Sequence, residues 1–170
     1  MLQLRAARTA DIEAMCDLLL EHGSNPWNYL PEAEVRVHLA AIATGQTHAW
    51  LAEEGGELQG FVSYRLTNAF AEHQPPSRAA QTHAYICEAV VHRQQAGRGL
   101  GSRLLREVVD RLLAQGLRDI YIDRHEENAA SAGMMRKAGF VELLTYPDPQ
   151  RRSSGSGRST LCCLRAEPEE

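Results

Sequence analysis

The sequence lacks any long apolar run, and this limits where the chain is expected to reside. Its longest uninterrupted apolar stretch runs only from Leu39 to Ala43, whereas a membrane-spanning helix needs about 20 residues. The first residues, MLQLRAARTADIE, also lack the apolar core of a secretory signal peptide. We therefore expect a cytoplasmic protein with no membrane partner.

A surplus of positive charge is also missing. The 170 residues contain 18 Lys and Arg against 22 Asp and Glu, which gives a net charge of −4. Non-specific nucleic-acid binding depends on Lys and Arg that neutralise phosphates, so no nucleic-acid partner is expected. This balance still allows a local basic pocket.

The cysteines are few, and their spacing suits neither a disulfide framework nor a metal site. There are four, none forms a CxxC pair, and Cys162 and Cys163 are adjacent, which is a poor geometry for a mutual bridge. No Cys/His spacing suggests structural zinc. We expect reduced thiols and no metal.

What the sequence does contain is a succession of short strands and amphipathic helices. Its pattern predicts the order β α α β β β α β α β β, an α/β (α+β) fold with a mixed sheet. The helix after Gly99 shows the clearest apolar stripe, and Asn128 can cap a later helix. Residues 1–166 are expected to form a single domain and residues 167–170 a disordered acidic tail. Arg151 and Arg152, in a long polar loop, are expected to be solvated, with contact to the cofactor or to a second subunit as the alternative.

The stretch QQAGRGLGSRLL, residues 94–105, crowds three glycines at the start of that helix. A helix N-terminus has free N–H groups and partial positive charge, and glycines allow a diphosphate to approach the backbone. The alternative is a tight strand-to-helix turn with no ligand. The P-loop and the dinucleotide fingerprint both fail here, because no Gly-Lys-Ser/Thr ends the run and Ser102 replaces the third fingerprint glycine.

A third pattern does match. The run Gln94-Gln95-Ala96-Gly97-Arg98-Gly99 resembles the Q/R-x-x-G-x-G/A element of the GNAT superfamily of acyl-CoA-dependent N-acetyltransferases. Further along, ENAASAGMMRKAGF resembles the second CoA-contacting element of that family, with Asn128 before a helix and Gly139-Phe140 after it. The resemblance covers nearly the whole chain.

The resemblance implies a GNAT fold of about seven strands and four helices, with two central strands splayed apart around acetyl-CoA. The strand edge at Ala89 to Val91 would pair with pantetheine, the turn would hold the diphosphate, and Asn128 would hydrogen-bond the pantetheine arm. The implied cofactor-binding residues are Ala89, Val90, Val91, Gln94, Gln95, Ala96, Gly97, Arg98, Gly99, Leu100, Gly101, Ser102, Asn128 and Ser131.

Glu88 is the candidate general base. It is the only carboxylate between Ala84 and Val91, on the strand that would carry the acetyl group, and an acceptor amine must lose a proton before it attacks. A Glu inside a sheet is costly unless it faces a cleft or a partner. The alternative is a structural ion pair with an arginine such as Arg65.

Cys87 is expected to be a small buried residue and not a nucleophile.

One position departs from the family pattern. Many members carry a Tyr seven residues after the Asn as the acid that protonates the CoA thiolate, and Met135 occupies that position here. Three hypotheses follow: Ser131, Tyr121 or Tyr146 substitutes for it, water protonates the thiolate, or the protein binds acyl-CoA and catalyses poorly.

The acceptor region implied by the resemblance includes Trp27 and Tyr29. Aromatic rings near carboxylates suit a cationic amine, so we expect an N-acetyltransferase acting on the primary amine of a small molecule by direct attack in a ternary complex. A peptide or protein N-acetyltransferase and a non-catalytic acyl-CoA-binding or regulatory module are the alternatives. A homodimer is an open expectation.

Overall fold

The computed structural model describes residues 1–166, and within them the chain alternates as the sequence pattern predicts. The acidic tail expected at residues 167–170 lies outside the described residues. The strands are β1 (Gln3–Ala6), β2 (His48–Glu54), β3 (Glu57–Thr67), β4 (His83–Val91), β5 (Asp119–His125), β6 (Val141–Pro147) and β7 (Arg158–Arg165). The helices are α1 (Ile12–His22), α2 (Glu32–Ala40), α3 (Leu100–Ala114) and α4 (Ala129–Ala138).

The strands form one mixed sheet in the order β1-β2-β3-β4-β5-β7-β6. Only β4 and β5 are parallel, and the connection between them runs through α3, as a parallel crossover requires. The expected fold class, with seven strands and four helices, is confirmed.

Two apolar layers cover the two faces of this sheet. On one face α1 and α2 bury Met15, Leu19 and Leu39 against Phe61 and Val90. On the other face α3 carries the stripe expected from its sequence, which is buried against β3, β4 and β5. The buried members of that stripe are Leu100, Leu104, Leu105, Val108, Val109 and Leu112. No helix in residues 1–166 is long and apolar enough to cross a membrane.

The two parallel strands separate after a short shared segment. They pair only over Ala84–Ile86 and Ile120–Ile122, after which β4 stays with β3 and β5 stays with β7. The expected splaying of two central strands is therefore present, and one edge of β4 beyond Ile86 has no strand partner.

A β-bulge lies at the point where β4 leaves β5. Ser63 of β3 faces Glu88 and Tyr64 faces Ile86, so Cys87 is an extra residue without an opposite partner. In a regular strand, Tyr85 and Glu88 would point to opposite faces. The bulge places both on the face covered by α1 and α2.

A buried polar cluster fixes the start of β5 to the irregular loop before β4. Asp119 is 1% exposed and accepts hydrogen bonds from Arg78 Nε (2.8 Å), Arg165 Nη1 (2.8 Å) and Gln74 Nε2 (3.1 Å). Burial alone would raise the pKa of Asp119, but the hydrogen bonds from Arg78 and Arg165 lower it below the usual value.

Replacing Asp119 by Ala should destabilise the fold by about 3 kcal/mol, because it leaves the facing guanidinium groups without their shared anion. Urea denaturation at neutral pH measures this loss. Glu107→Ala is the matched control, since Glu107 forms a helical i,i+4 pair with the exposed Arg111 and should cost only about 0.5 kcal/mol. A loss equal to that of the control would show that the cluster contributes no stability.

Candidate active site

A cavity of about 430 Å³ occupies the wedge between the separated strands. One wall is β4 from Ile86 to Val91, and another is the N-terminal half of α4 with Asn128. The helix ends and the free edge of β4 meet here because β4 and β5 diverge. The residues selected from sequence that line this cavity are Tyr29, Glu88, Ala89, Val90, Val91, Ala96, Asn128 and Ser131.

The glycine turn adjoins one end of the wedge, which Ala96 lines; residues 97–102 do not line the cavity itself. Gly97 (φ 78°) and Gly99 (φ 80°) adopt left-handed backbone conformations that favour glycine, and a Cβ atom on either would point into open space. Gly101 differs, because a Cβ atom there would lie 3.3 Å from Met134 Sδ, so this glycine allows α3 to approach α4.

The backbone of this turn offers unpaired donors. In the part of the chain that the structure describes, no backbone acceptor bonds the N–H groups of Gly97, Gly99, Gly101 or Ser102. They surround the N-terminus of α3, where the helix dipole adds partial positive charge. Open space beside unpaired N–H groups fits a diphosphate.

The other residues selected in this turn act through the backbone or the core. The Gln95 side chain is buried and donates to Gln59 Oε1 at 3.2 Å. Leu100 belongs to the core beneath α3, and Arg98 is exposed. Gln94 N–H donates to His92 Nδ1 at 3.1 Å, which orders the turn before the glycines.

Asn128 is the cap of α4 and also part of the cavity wall. Its Oδ1 accepts from the Ser131 N–H at 3.2 Å, which is the usual N-cap bond. This leaves the Asn128 amide NH₂ group as a donor at the cavity, where it has no partner among the described residues.

Met135 is buried and lines the same wall of the wedge. Of the groups considered as substitutes for a tyrosine there, Ser131 lines this cavity, whereas Tyr121 is fully buried away from it. Tyr146 lines a second, neighbouring cavity.

This second cavity, of about 540 Å³, lies on the α1/α2 side of β4, and we call it the acceptor cleft. Tyr29, Cys87, Glu88, Asp123 and Arg151 line both the wedge and the cleft. Any group that enters the cleft therefore meets the wedge at these five side chains.

Glu88 is the carboxylate at this junction that has no partner. It is half-buried and forms no hydrogen bond or ion pair within residues 1–166, so the alternative of a pair with Arg65 is not what the structure shows. Burial raises the pKa of Glu88 to about 8, and the nearby Asp123 adds to the rise, although Arg151 and Arg152 oppose it. A carboxylate with this pKa can hold or release a proton near neutral pH.

Asp123, Arg151 and Arg152 form a charged group beside Glu88 that sequence reasoning missed. Arg151 binds Asp123 through two hydrogen bonds of 2.9 and 3.1 Å, and Tyr85 donates its hydroxyl proton to the same carboxylate at 3.0 Å. The prediction of solvated arginines is wrong for Arg152, which is only 6% exposed, whereas Arg151 is partly exposed and paired with Asp123. A carboxylate directly after the apolar run Ile120–Ile122 was the available signal for Asp123.

Trp27 and Tyr29 have different positions although both were assigned to the acceptor. Tyr29 lines the junction, whereas Trp27 packs its ring against His125, with 4.8 Å between ring centroids. The Trp27 carbonyl accepts from Arg152 Nη1 at 3.1 Å, and the Pro26 carbonyl accepts from the Ser154 hydroxyl. These bonds tie the loop before α2 to the loop between β6 and β7.

Cys87 is suited to packing and not to nucleophilic attack. Burial, together with the negative charge of Glu88, raises the pKa of its thiol to about 12.

Among the described residues, no group of three or more His, Cys, Asp and Glu side chains is placed to hold a metal ion.

Comparison with known proteins gives consistent matches. Residues 12–140 match the model of the Acetyltransferase (GNAT) family. Over 89 residues the chain is 33% identical to the L-methionine sulfoximine/L-methionine sulfone acetyltransferases of Pseudomonas paraeruginosa and Pseudomonas aeruginosa, a match covering 52% of this chain and 47% of each relative. The aligned part thus spans about half the length of these relatives.

Solved structures share the fold at low sequence identity. The ribosomal-protein-S18-alanine N-acetyltransferase from Escherichia coli superposes with a TM-score of 0.77 at 16% identity, covering 100% of this chain and 97% of that one. Arabidopsis thaliana NAA60, solved in complex with acetyl-CoA, gives 0.74 at 18% identity over 97% and 98% of the two chains. Since the family model covers most of the sequence and the sheet has the expected splayed strands, the chain belongs to the GNAT acetyltransferase family.

Proposed function

We propose that this protein is an N-acetyltransferase that moves an acetyl group from acetyl-CoA to the primary amine of a small molecule. The observation that carries the proposal is that the wedge runs from Ala96, beside the glycine turn, along the unpaired edge of β4 to Glu88, where it adjoins the acceptor cleft. This path brings an anion site, a strand edge and a proton acceptor into one wedge.

The residues of the wedge fit acetyl-CoA from end to end. The N–H groups of Gly97, Gly99, Gly101 and Ser102 would donate to its diphosphate, and the β4 edge at Ala89 to Val91 would pair with its pantetheine amides. The Asn128 NH₂ group would donate to a pantetheine carbonyl. When bound, acetyl-CoA supplies the thioester carbonyl that an amine attacks.

Glu88 would take the proton that the attacking amine loses. Its position at the junction of the two cavities places it beside any amine that approaches the β4 edge from the cleft. The amine must be neutral to attack, and a carboxylate whose pKa is raised to about 8 is a competent acceptor near neutral pH. Asp123 stays paired with Arg151, which leaves Glu88 as the free base.

Two features support a small-molecule acceptor. The bonds from Arg152 and Ser154 to the carbonyls of Trp27 and Pro26 bring two loops together at one rim of the site, which limits the room for an extended peptide. The Pseudomonas relatives act, by their names, on L-methionine sulfoximine and L-methionine sulfone, which are small primary amines. The cytoplasmic location and a homodimer stay predictions from sequence.

The buried Met135 favours one other candidate, a non-catalytic acyl-CoA-binding module. Both candidates predict acetyl-CoA binding, and only the enzyme predicts release of CoA with a panel of primary amines. Binding without any turnover across that panel would favour the module.

Replacing Gly99 by Ala should weaken acetyl-CoA binding at least tenfold in a calorimetric titration. A Cβ atom strains a left-handed residue by about 1 kcal/mol and fills space at the diphosphate site. Gly45→Ala is a matched control, because Gly45 (φ 76°, ψ 10°) has nearly the backbone angles of Gly99 (φ 80°, ψ 8°) and its Cβ would also meet no atom. Equal effects of the two variants on binding would refute the diphosphate assignment.

Replacing Glu88 by Gln should lower kcat/KM for the amine by about 100-fold or more, with little change in acetyl-CoA affinity. The wild-type profile of kcat/KM should rise with pH through about 8, as Glu88 loses its proton. Profiles measured with two acceptors of different amine pKa show which group titrates. If Glu88 titrates, the rise in kcat/KM occurs at the same pH for both acceptors; if the amine titrates, the rise shifts with the pKa of the amine. Glu57→Gln, an exposed change at the first residue of β3, is the control. Full activity of Glu88→Gln at every pH would exclude Glu88 as the base.

The pH dependence of the free energy of unfolding should report the protonation of Glu88 without any substrate. The folded pKa of Glu88 lies above its ordinary value of 4.5, so folding favours the protonated acid. Its contribution is present below pH 4.5 and is lost as pH rises to about 8, because the unfolded chain then binds fewer protons. Wild type should therefore lose stability relative to Glu88→Gln across this window in urea denaturation, and a constant difference would contradict the raised pKa.

A further inference from the structure

A third cavity, of about 420 Å³, opens beside the acceptor cleft, and we call it the outer pocket. It shares Glu34, His38, Tyr85 and Cys87 with the cleft, so the two adjoin at these side chains. Its additional lining comes from Ala33 and Val37 of α2 and from Arg65 of β3. Val37 is 69% exposed, so the pocket combines an apolar helix face with a cation.

Arg65 differs from the other arginines that line the three cavities. Arg151 and Arg152 face Asp123, Arg124 binds Glu142, and Arg93 donates to the Glu21 carbonyl. Within residues 1–166, Arg65 forms neither a hydrogen bond nor an ion pair. Glu34 lines the same pocket and lies beyond ion-pair distance, so the positive charge of Arg65 is available to a ligand.

The charges of the site are separated along the path from the wedge outward. The acceptor cleft is lined by Glu34, Glu88 and Asp123, and the cation that lines it, Arg151, is paired with Asp123. The outer pocket is lined by Arg65, which has no ion-pair partner among the described residues, and by Glu34 at its border with the cleft. His38 adds no competing charge, since burial, helped by the charge of Arg65, lowers its pKa to about 4. A zwitterion would therefore enter with its amine inward and its anion outward.

The register of β3 sets the separation of these two ends. Ser63 faces Glu88 across the strand pair, and Arg65 is two residues further along the same face of β3. Two residues of a strand span about 7 Å. One amino acid can bridge a gap of this order, because a hydrogen bond of about 3 Å at each end adds to the distance between its amine and its carboxylate.

We propose that the acceptor is an α-amino acid with an apolar side chain, whose carboxylate is bound by Arg65 while its amine faces Glu88. The side chain would lie against Ala33 and Val37. This inference rests on the proposed function and specifies its substrate class.

The test compares acceptors that differ only in the carboxylate. L-Leucine is set against L-leucinamide and 3-methylbutylamine, whose amine pKa values lie below and above that of leucine, so amine basicity alone cannot explain a preference for leucine. L-Phenylalanine with phenethylamine and L-methionine with 3-(methylthio)propylamine extend the comparison to other apolar side chains.

Wild type should acetylate at least one of these amino acids with kcat/KM 10- to 100-fold above its carboxylate-free counterparts. Arg65→Gln should remove this preference by raising KM for the amino acid more than KM for the simple amines. Arg106→Gln, which changes an exposed arginine of α3, should keep the preference. Calorimetric titration of the amino acid into protein saturated with CoA should show the same loss in Arg65→Gln.

Acetylation of the simple amines as well as or better than every amino acid would overturn the assignment of Arg65 and leave the proposed function intact. A preference for amino acids that survives in Arg65→Gln would also overturn it. Absence of turnover with every acceptor, despite acetyl-CoA binding, would instead refute the proposed acetyltransferase activity, and the assignment of Arg65 with it.

Discussion

The separation of β4 from β5 is the constraint on which the rest of this structure depends. A strand edge inside a protein normally has a partner, because unpaired backbone groups away from water are costly. Here the two strands share only three residue pairs before they diverge. The free edge is tolerable because it faces a cavity, and the bulge at Cys87 marks the place where the divergence begins. The glycine turn, the cap of α4 and Glu88 are all positioned by the strands that bound this wedge.

The charges at the junction follow from the same geometry. Three acidic or basic groups near one another would be unstable in a closed core, yet the wedge brings solvent-accessible space to Glu88 while Asp123 is held by Arg151 and Tyr85. Asp123 neutralises the arginine and at the same time disfavours ionisation of Glu88. The site therefore contains two carboxylates with different tasks: one orders the neighbouring loop, and the other stays free to exchange a proton.

Sequence reasoning was most successful where local pattern determines structure. The apolar stripe of α3, the cap at Asn128 and the order of the elements follow from periodicity and capping chemistry, and the structure contains each of them. Glu88 could be selected because a charged residue inside an apolar strand is unusual. Arg151 and Arg152 could not be placed, since nothing local distinguishes them from a solvated loop. Their burial depends on Asp123 and on the Trp27 carbonyl, which are distant in sequence. The unpaired state of Arg65 is likewise a property of the assembled cleft.

The rim formed by two loops has an asymmetry that bears on how related sequences can diverge. Arg152 and Ser154 donate from their side chains, whereas Trp27 and Pro26 accept through main-chain carbonyls. Any residue that keeps the loop path supplies the same carbonyl, but few residues replace a guanidinium or a hydroxyl. These two hydrogen bonds therefore constrain the side chains at positions 152 and 154 but only the main chain at positions 26 and 27. An alignment of close homologues should then show variation concentrated on one side of the rim, without correlated exchange between the two loops.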